Sequence, residues 1–445
     1  MNLTDRPLLR LFTLCILYVA QGIPYGFVTV TLAAYLAEEG LSVGDIGGLL
    51  AMGTLPWTFK WVWGPMIDRF GIVSMGRRRP WIILAQIGMI VSISILAFVP
   101  SMTTSLTLIG WMVFTHNVFN SLQDVSVDAL AVDLLREEER GRVSGFMYGA
   151  KYFGMFLGGA VFSRILSHGG LSTVFLCQAV LLCGILLFPL LLRERAGERL
   201  LPWTKGSVQL KATEQLADSA LVLFRRLGRA FSLRSTLLAA VIGFTMFIAS
   251  GALGPVMQVL LLQDLGWDRV QLTDIDGGYG VFLGIAGAVC GGLLADTFGA
   301  KWVIGSGAVA LGLCYLSFAA MSPDMIGAGW FSWASTGAVT MYILASTFLG
   351  TLITAALFSM YMTVSWPVVA GTQFTAYMAI LNLSTTTGQW LAGPIESIGI
   401  VTVFLIFGGF QIATVVLLPF INIHQTRQVL GGLPVVDAKA NLSSM

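Results

Sequence analysis

The chain has 445 residues, a formal net charge of +2, 56% hydrophobic and 11% charged residues, and a mean hydropathy of +0.82. Soluble domains carry about 25% charged residues, so this composition excludes an ordinary soluble protein and puts the chain in a lipid bilayer. No basic tract points to nucleic acid, and the scattered cysteines (Cys15, Cys177, Cys183, Cys290, Cys314) and histidines suggest no disulfide framework, metal site or cofactor.

A membrane span takes about 20 apolar residues. That length predicts twelve spans, the first six at roughly 10–36, 44–65, 80–100, 106–133, 143–165 and 171–192. The second six fall at roughly 236–262, 274–296, 302–321, 335–362, 370–393 and 398–420. Arg6 and Arg10 precede an apolar run longer than a signal-peptide core, and no small-residue cleavage site follows, so span 1 reads as a retained helix. The expected organisation is an N-terminal six-helix bundle (1–192), a cytoplasmic linker (193–235), a C-terminal six-helix bundle (236–424) and a cytoplasmic tail (425–445). Within the linker, residues around 214–231 have amphipathic helical character suited to the membrane surface. Lysine and arginine gather after spans 2 and 4 and in the linker, while the opposite loops offer Arg164 and Arg269, which predicts cytoplasmic termini.

Span 1 carries Tyr18, Gln21, Tyr25 and Thr29 on one face, beside a Gly22–Pro24 break, and that face is expected on a central cavity. Span 2 carries Lys60, about 12 Å in from its end at 1.5 Å per residue. In span 4, His116, Asn120, Asp124 and Asp128 recur every four residues and form a polar stripe, with Gln123 beside it and Asp133 near the cytoplasmic end. Asp124 and Asp128 lie about 18 and 12 Å deep, and Lys151 of span 5 about 13 Å deep. Ionisable groups at such depth face a cavity or each other. Lys60 and Lys151 are the candidate partners of the two acids, in either pairing. Two roles fit this layer: bracing the N-terminal bundle, or binding an ionised solute and exchanging a proton.

The second half repeats the first. "GPMIDRFG" (64–71) matches "GLLADTFGAKW" (292–302), and "VGDIGG" (43–48) matches "LTDIDGG" (272–278). Such paired repeats with matching helix breaks mark transporters. Ile353, Leu357 and Leu381 stand where the first half has Asp124, Asp128 and Lys151, so charge handling is assigned to the N-terminal half. Span 11 offers Asn382, Thr386 and Gln389 on one face, for solute hydrogen bonds or for helix–helix bonds. Glycine pairs Gly145/Gly149 and Gly154/Gly158 in span 5, and Gly280/Gly284 and Gly287/Gly291 in span 8, are expected packing faces that slide on one another.

G-x-x-x-D-R-F-G followed by "GRRRPW" resembles the loop 2–3 signature of the major facilitator superfamily. The resemblance implies an all-α integral membrane fold, with twelve transmembrane helices in two pseudo-symmetric six-helix bundles. It also implies that Asp68 caps span 11 near Gly371, and that one of Arg77, Arg78 and Arg79 pairs with Asp133. With Arg69, Arg140 and Gly141 these residues would form a cytoplasmic gate. "LYVAQGIPYGF", "FKWVWGPMIDR", "GRRRPW" and "SLQDVSVDALAVDLL" with "EERGR" together resemble the narrower peptide/acetyl-coenzyme A transporter family, which includes AmpG-type muropeptide permeases. That match carries over Lys60, Asp68, Arg69, Gln123, Asp124, Asp128, Arg140 and Gly141, while AmpG-type sequences tend to have arginine in place of Lys151.

The expectation is a secondary transporter, not an enzyme. It would import a bulky polar solute across the bacterial inner membrane by alternating access with protons, as a monomer whose partners are the solute, protons and the bilayer. Muropeptide-type cell-wall fragments rank first, siderophores second and acyl-coenzyme A last. The competing expectation is a non-transporting membrane assembly factor.

Overall fold

A computed structural model describes residues 2–70, 73–99, 105–204, 206 and 220–431. The described chain is helical, with no strand beyond isolated bridges, as backbone in hydrocarbon requires when every N–H and C=O must be satisfied internally. The N-terminal half contains α1 (Pro7–Gly26), α2 (Val43–Thr58), α3 (Arg79–Leu96), α4 (Leu106–Leu134), α5 (Glu137–Phe156) and α6 (Phe162–Leu191). The C-terminal half contains α7 (Arg234–Val259), α8 (Gly280–Phe298), α9 (Ala300–Ala320), α10 (Thr336–Val364), α11 (Ala370–Glu396) and α12 (Ile400–Ala413).

Eight described segments are long and apolar enough to cross a membrane. One of them, Arg142–Leu191, holds two predicted spans that reverse at Gly170, whose φ of 71° suits glycine. The remaining three predicted spans miss that standard for physical reasons. α2 is only 16 residues before a 3₁₀ turn, Lys60–Val62, interrupts it. α4 and α11 are 29 and 27 residues long, but their polar stripes dilute them.

One hydrophobic core gathers buried residues from Leu3 to Leu192. A second gathers residues from Ala239 to Ile421, joined by Ala34 and Val43. Glycine sets the closest helix contacts inside each half. A side chain at Gly154 would meet the Gly22 Cα at 2.9 Å, and one at Gly158 would meet the Phe27 nitrogen at 2.6 Å, so α5 lies backbone-to-backbone on α1. In the other half a side chain at Gly291 would meet Leu352 backbone atoms at 2.9 Å, so α8 lies on α10. This corrects the expected face: Gly145 and Gly149 have open space around them, and α5 approaches the α8 side closely where Gly159 meets Gly277.

The halves meet tightly at the end of the molecule away from the linker, called here the far face. Arg269 donates to Glu38 at 2.6 Å, and Arg164 pairs with Asp274 at 2.5 Å; each pair joins the two halves. Gln263 donates to the carbonyls of Ala37 and Leu41, both at 2.9 Å. A side chain at Gly44 would meet the Gly393 backbone at 3.1 Å, so α2 and α11 close the seam. Toward the linker face the helices part. Gly145, Gly149, Gly292 and Gly371 border open space, and Phe59, Phe146 and Tyr148 are exposed. The central space is therefore shut at the far face and open toward the linker.

The linker helix, Ala220–Phe231, covers part of the amphipathic stretch expected at 214–231, whose first residues lie outside the described ones. Its Ala230 packs with Trp366 and Val369 of the C-terminal half, and its Phe224 ring meets Trp61 of the N-terminal half at 6.0 Å.

Candidate functional site

α4 carries the acids, and its stripe turns as it climbs. Each four-residue step advances about 40°, so His116 and Asp128 differ by about 120°. That rotation separates the stripe into buried and open parts. His116 is 2% exposed, and its Nδ1 sits 3.0 Å from Ser92 Oγ and 3.1 Å from the Met89 carbonyl, in the α3–α4 contact. Asn120 is wholly buried. Asp124 is buried, whereas Asp128 is exposed.

Lys60 Nζ meets Asp124 Oδ2 at 3.2 Å, which resolves the pairing left open by the sequence. The 3₁₀ turn in the second span places that lysine, buried, against α4. Asp128 accepts a hydrogen bond from the Tyr18 hydroxyl of α1. Lys151 takes no carboxylate among the described residues; its ammonium lies 5.3 Å from the centre of the Trp57 ring, with Lys60 at 6.0 Å from the same ring. An indole face between two ammonium groups stabilises both by its quadrupole. Trp57 also donates to Asn117 at 3.3 Å, and its carbonyl accepts from Asn382 of the other half at 3.3 Å. Trp57 was missed in the sequence; its spacing of three residues before Lys60 places it one helical turn away and was the available signal.

Between the halves lies a cavity of about 410 Å³. α1 contributes Tyr25, the π-helical turn after it (Phe27–Leu32) contributes Thr29, α5 contributes Tyr152, and α10 and α11 contribute Thr347, Thr351 and Asn382. Of the residues expected on the cavity, Tyr25, Thr29 and Asn382 line it. The others are corrected as follows. Tyr18 is buried behind Asp128, and Gln21 is fully buried inside the N-terminal half. Gln123 receives a hydrogen bond from Gln86 at 3.0 Å and donates to the Leu17 carbonyl at 2.9 Å, so it joins helices, as His116 does, while Asn120 is buried with no hydrogen-bond partner among the described residues. Thr386 and Gln389 share the Asn382 face but lie higher, in the closed α2–α11 seam, where a side chain on Gly47 would strike the Gln389 carbonyl.

A second correction concerns charge in the C-terminal half. Asp276 lines the cavity. It belongs to a π-helical turn, Ile275–Tyr279, that leads into α8. The first half reads Asp45-Ile46-Gly47-Gly48; the second reads Asp274-Ile275-Asp276-Gly277-Gly278, one residue longer. A π turn closes i→i+5 and holds one more residue than an α turn, so the insertion presents Asp276. The signal lay inside the quoted repeat.

The loop after span 2 is tied to the N-terminal half and to the start of the linker. Arg78 Nε meets Asp133 at 2.8 Å. Arg79 donates to the Met75 and Arg199 carbonyls at 3.1 and 3.0 Å, and also to those of Pro189 and Leu200. Glu194, 3% exposed, accepts the backbone N–H groups of Arg77, Arg78 and Arg79 at 3.1, 2.8 and 2.5 Å. Burial pushes the Glu194 carboxyl up to about 7, against the pull of those N–H groups. Glu194 was not expected from the sequence. Arg69 is exposed beside the Phe70 ring, Arg140 donates to the Val132 carbonyl at 3.2 Å, and Gly371 borders open space. The Asp68 side chain and the surroundings of Gly141 lie outside the described residues.

The model of the Major Facilitator Superfamily matches residues 14–250. The Anhydromuropeptide permease of Escherichia coli K12 is 25% identical over 292 residues, which cover 63% of this chain and 54% of that permease. The match thus spans about half the length of that relative. Among solved structures, the nucleoside transporter NupG superposes with a TM-score of 0.69 at 12% identity, over 92% of this chain and 99% of NupG. The D-xylose-proton symporter superposes with a TM-score of 0.67 at 13% identity, over 92% and 97%.

Proposed function

We propose that this chain, which belongs to the Major Facilitator Superfamily, is a proton-coupled importer of bulky polar solutes, with muropeptide-type cell-wall fragments as its substrate class. The observation that carries the coupling is the contrast between neighbouring acids. Asp124 is buried and tied to Lys60, while Asp128, one turn away, is exposed and, among the described residues, bonds only the Tyr18 hydroxyl. A carboxylate reachable from one side in one conformation can take or release a proton there when the halves rock to the other side. The conformation described, shut at the far face, is then the inward-facing one, with the linker and termini in the cytoplasm. One charge crossing 100 mV supplies about 2.3 kcal/mol, enough for roughly fiftyfold accumulation.

Lys151 supplies the anion-binding partner: its ammonium has no carboxylate among the described residues and rests against Trp57, whose carbonyl holds the cavity residue Asn382. The substrate class is supported by the similarity to the E. coli permease and by the quoted span 1, 2 and 4 elements. Uptake of labelled anhydro-muropeptide by proteoliposomes, with and without a proton gradient, tests the reading. Gradient-dependent accumulation is expected. Equilibration without accumulation removes the coupling, and no movement at all removes the substrate class.

A further inference from the structure

We propose that Asp276 is the subsite for a positively charged amine on the transported solute. The inference rests on the reading of the chain as a transporter and adds a feature of its substrate.

Asp276 lines the central cavity from the C-terminal half and has no ion-pair or hydrogen-bond partner among the described residues. The acid two positions before it, Asp274, takes Arg164, and Arg269 is engaged by Glu38. Neither far-face arginine is therefore paired with Asp276. The Asp276 carboxylate and the Thr347 side chain flank Gly280, at 3.7 and 4.0 Å from the position a Cβ would take there.

The threonine hydroxyls around the cavity favour a donor-rich ligand, and the Tyr25 and Tyr152 hydroxyls that also line it can donate or accept. Thr29 donates its proton to the Tyr25 carbonyl at 2.8 Å, one turn back on its own helix. Thr347 donates to Ile343 at 2.9 Å, Thr351 to Thr347 at 3.0 Å, Thr354 to Gly350 at 2.7 Å and Thr385 to Leu381 at 3.2 Å. A hydroxyl has one proton and two lone pairs. With their protons committed to the backbone, these five threonines offer the cavity lone pairs. Acceptors around an unpaired carboxylate suit a group with several donors and no acceptor, which is the hydrogen-bonding character of an ammonium group. Beside Asp276 an anionic group would meet a like charge and the lone pairs of these threonines. With Lys151 free on the other half, the solute selected is zwitterionic, its amine on the C-terminal half and its acid on the N-terminal half.

Binding of a muropeptide with a free amine on its peptide, against the same molecule N-acetylated there, is the first test. Acetylation should weaken binding to the wild type at least tenfold. Asp276→Asn should bind both forms at the weaker level, and Asp276→Glu should recover the preference. Asp276→Asn that binds the amine form as tightly as the wild type overturns the proposal, as does equal loss of both forms. If the wild type binds neither form, the muropeptide reading fails and a solute-free measurement decides Asp276. Thr347→Cys, in a chain whose five native cysteines are replaced by serine, is labelled with cationic and anionic methanethiosulfonates. The cationic reagent should react at least tenfold faster, and Asp276→Asn or Asp276→Gln should collapse that ratio. A ratio independent of residue 276 overturns the proposal.

Discussion

The two halves share a helical plan and a glycine-packing rule but differ in how their interiors treat polarity. The N-terminal half holds Lys60 against Asp124 and stands Asp128 against Tyr18, beside an ammonium group on Trp57. The C-terminal half puts Leu357 where Asp128 stands, and fills its core with a Tyr361–Tyr377 stack whose rings lie 4.2 Å apart and 3° from parallel. Stacked rings hold one geometry and carry no charge. Ionisable groups can take up or release a proton, and they cost desolvation to bury. In the proposed mechanism the N-terminal half carries the charge chemistry and the C-terminal half is mainly its rigid counterpart, with Asp276 as a charged exception at the cavity wall.

The sharpest way to break this contrast is to neutralise its acid. Asp128→Asn should lower gradient-driven accumulation at least tenfold while exchange of solute without a gradient survives; Leu357→Asn at the matching C-terminal position should leave both unchanged. Equal effects at the two positions would erase the assigned asymmetry. Asp124→Asn is a poorer probe, because it strands the buried Lys60 without its counter-charge, a change that costs about 3–5 kcal/mol in buried pairs.

Packing should instead be symmetric. Gly154→Val presses α5 on α1, and Gly287→Val presses α8 on α10, where each new side chain would strike backbone. Each should cost about 3 kcal/mol, read as a lower melting temperature in detergent. Gly149→Ala, in open space, should leave it unchanged or raise it slightly. A similar loss at Gly149 would show that its face packs after all.

The two faces differ next. Arg269 joins the halves at the far face, whereas the Arg78–Asp133 pair lies within the N-terminal half. Arg269→Ala should speed labelling of Thr347→Cys from the far side about tenfold, since a lost charged hydrogen bond is worth about 1.5–3 kcal/mol. Arg78→Ala should leave that rate unchanged. Matching rates in the two variants would deny the far-face pair its closing role.

The smallest effect expected is at Glu194. Its carboxyl is raised in the folded protein, from 4.5 to about 7. A raised acid contributes its full stability below its ordinary value and loses it as pH rises through the folded one. The wild type should therefore lose a few degrees of melting temperature between pH 5 and 8. Glu194→Gln imitates the protonated form, so it should match the wild type at pH 5 and exceed it at pH 8. Parallel pH profiles would show that Glu194 does not titrate in this window.

Much of this plan was legible in the residues. Hydropathy placed a helix at every predicted span, and repeat elements such as "GPMIDRFG" and "GLLADTFG" aligned the halves. The depth count brought Lys60, Asp124, Asp128 and Lys151 to one layer, and Lys60 and Asp124 do meet there. The count failed on facing. His116, Asn120 and Gln123 share a helix with Asp128 but point into the bundle, because a four-residue stripe rotates by about 40° per step. Gln389 failed differently, through depth: it sits on the Asn382 face but inside the closed seam. Asp276 was overlooked because a single inserted residue looks like loop variation until a π turn is seen to absorb it.

The amino-acid order, through local rules, decides the membrane class, the helical segments and the repeat. Hydropathy, rise per residue and periodicity concern neighbours along one helix. Partners are a different matter. Lys60 and Asp124 are 64 positions apart, and Arg269 and Glu38 are 231 apart. Which acid is neutralised, which one reaches the cavity and which face is shut depend on how helices pack across those separations. A few degrees of helix rotation or one π turn changes the answer without changing any local signal.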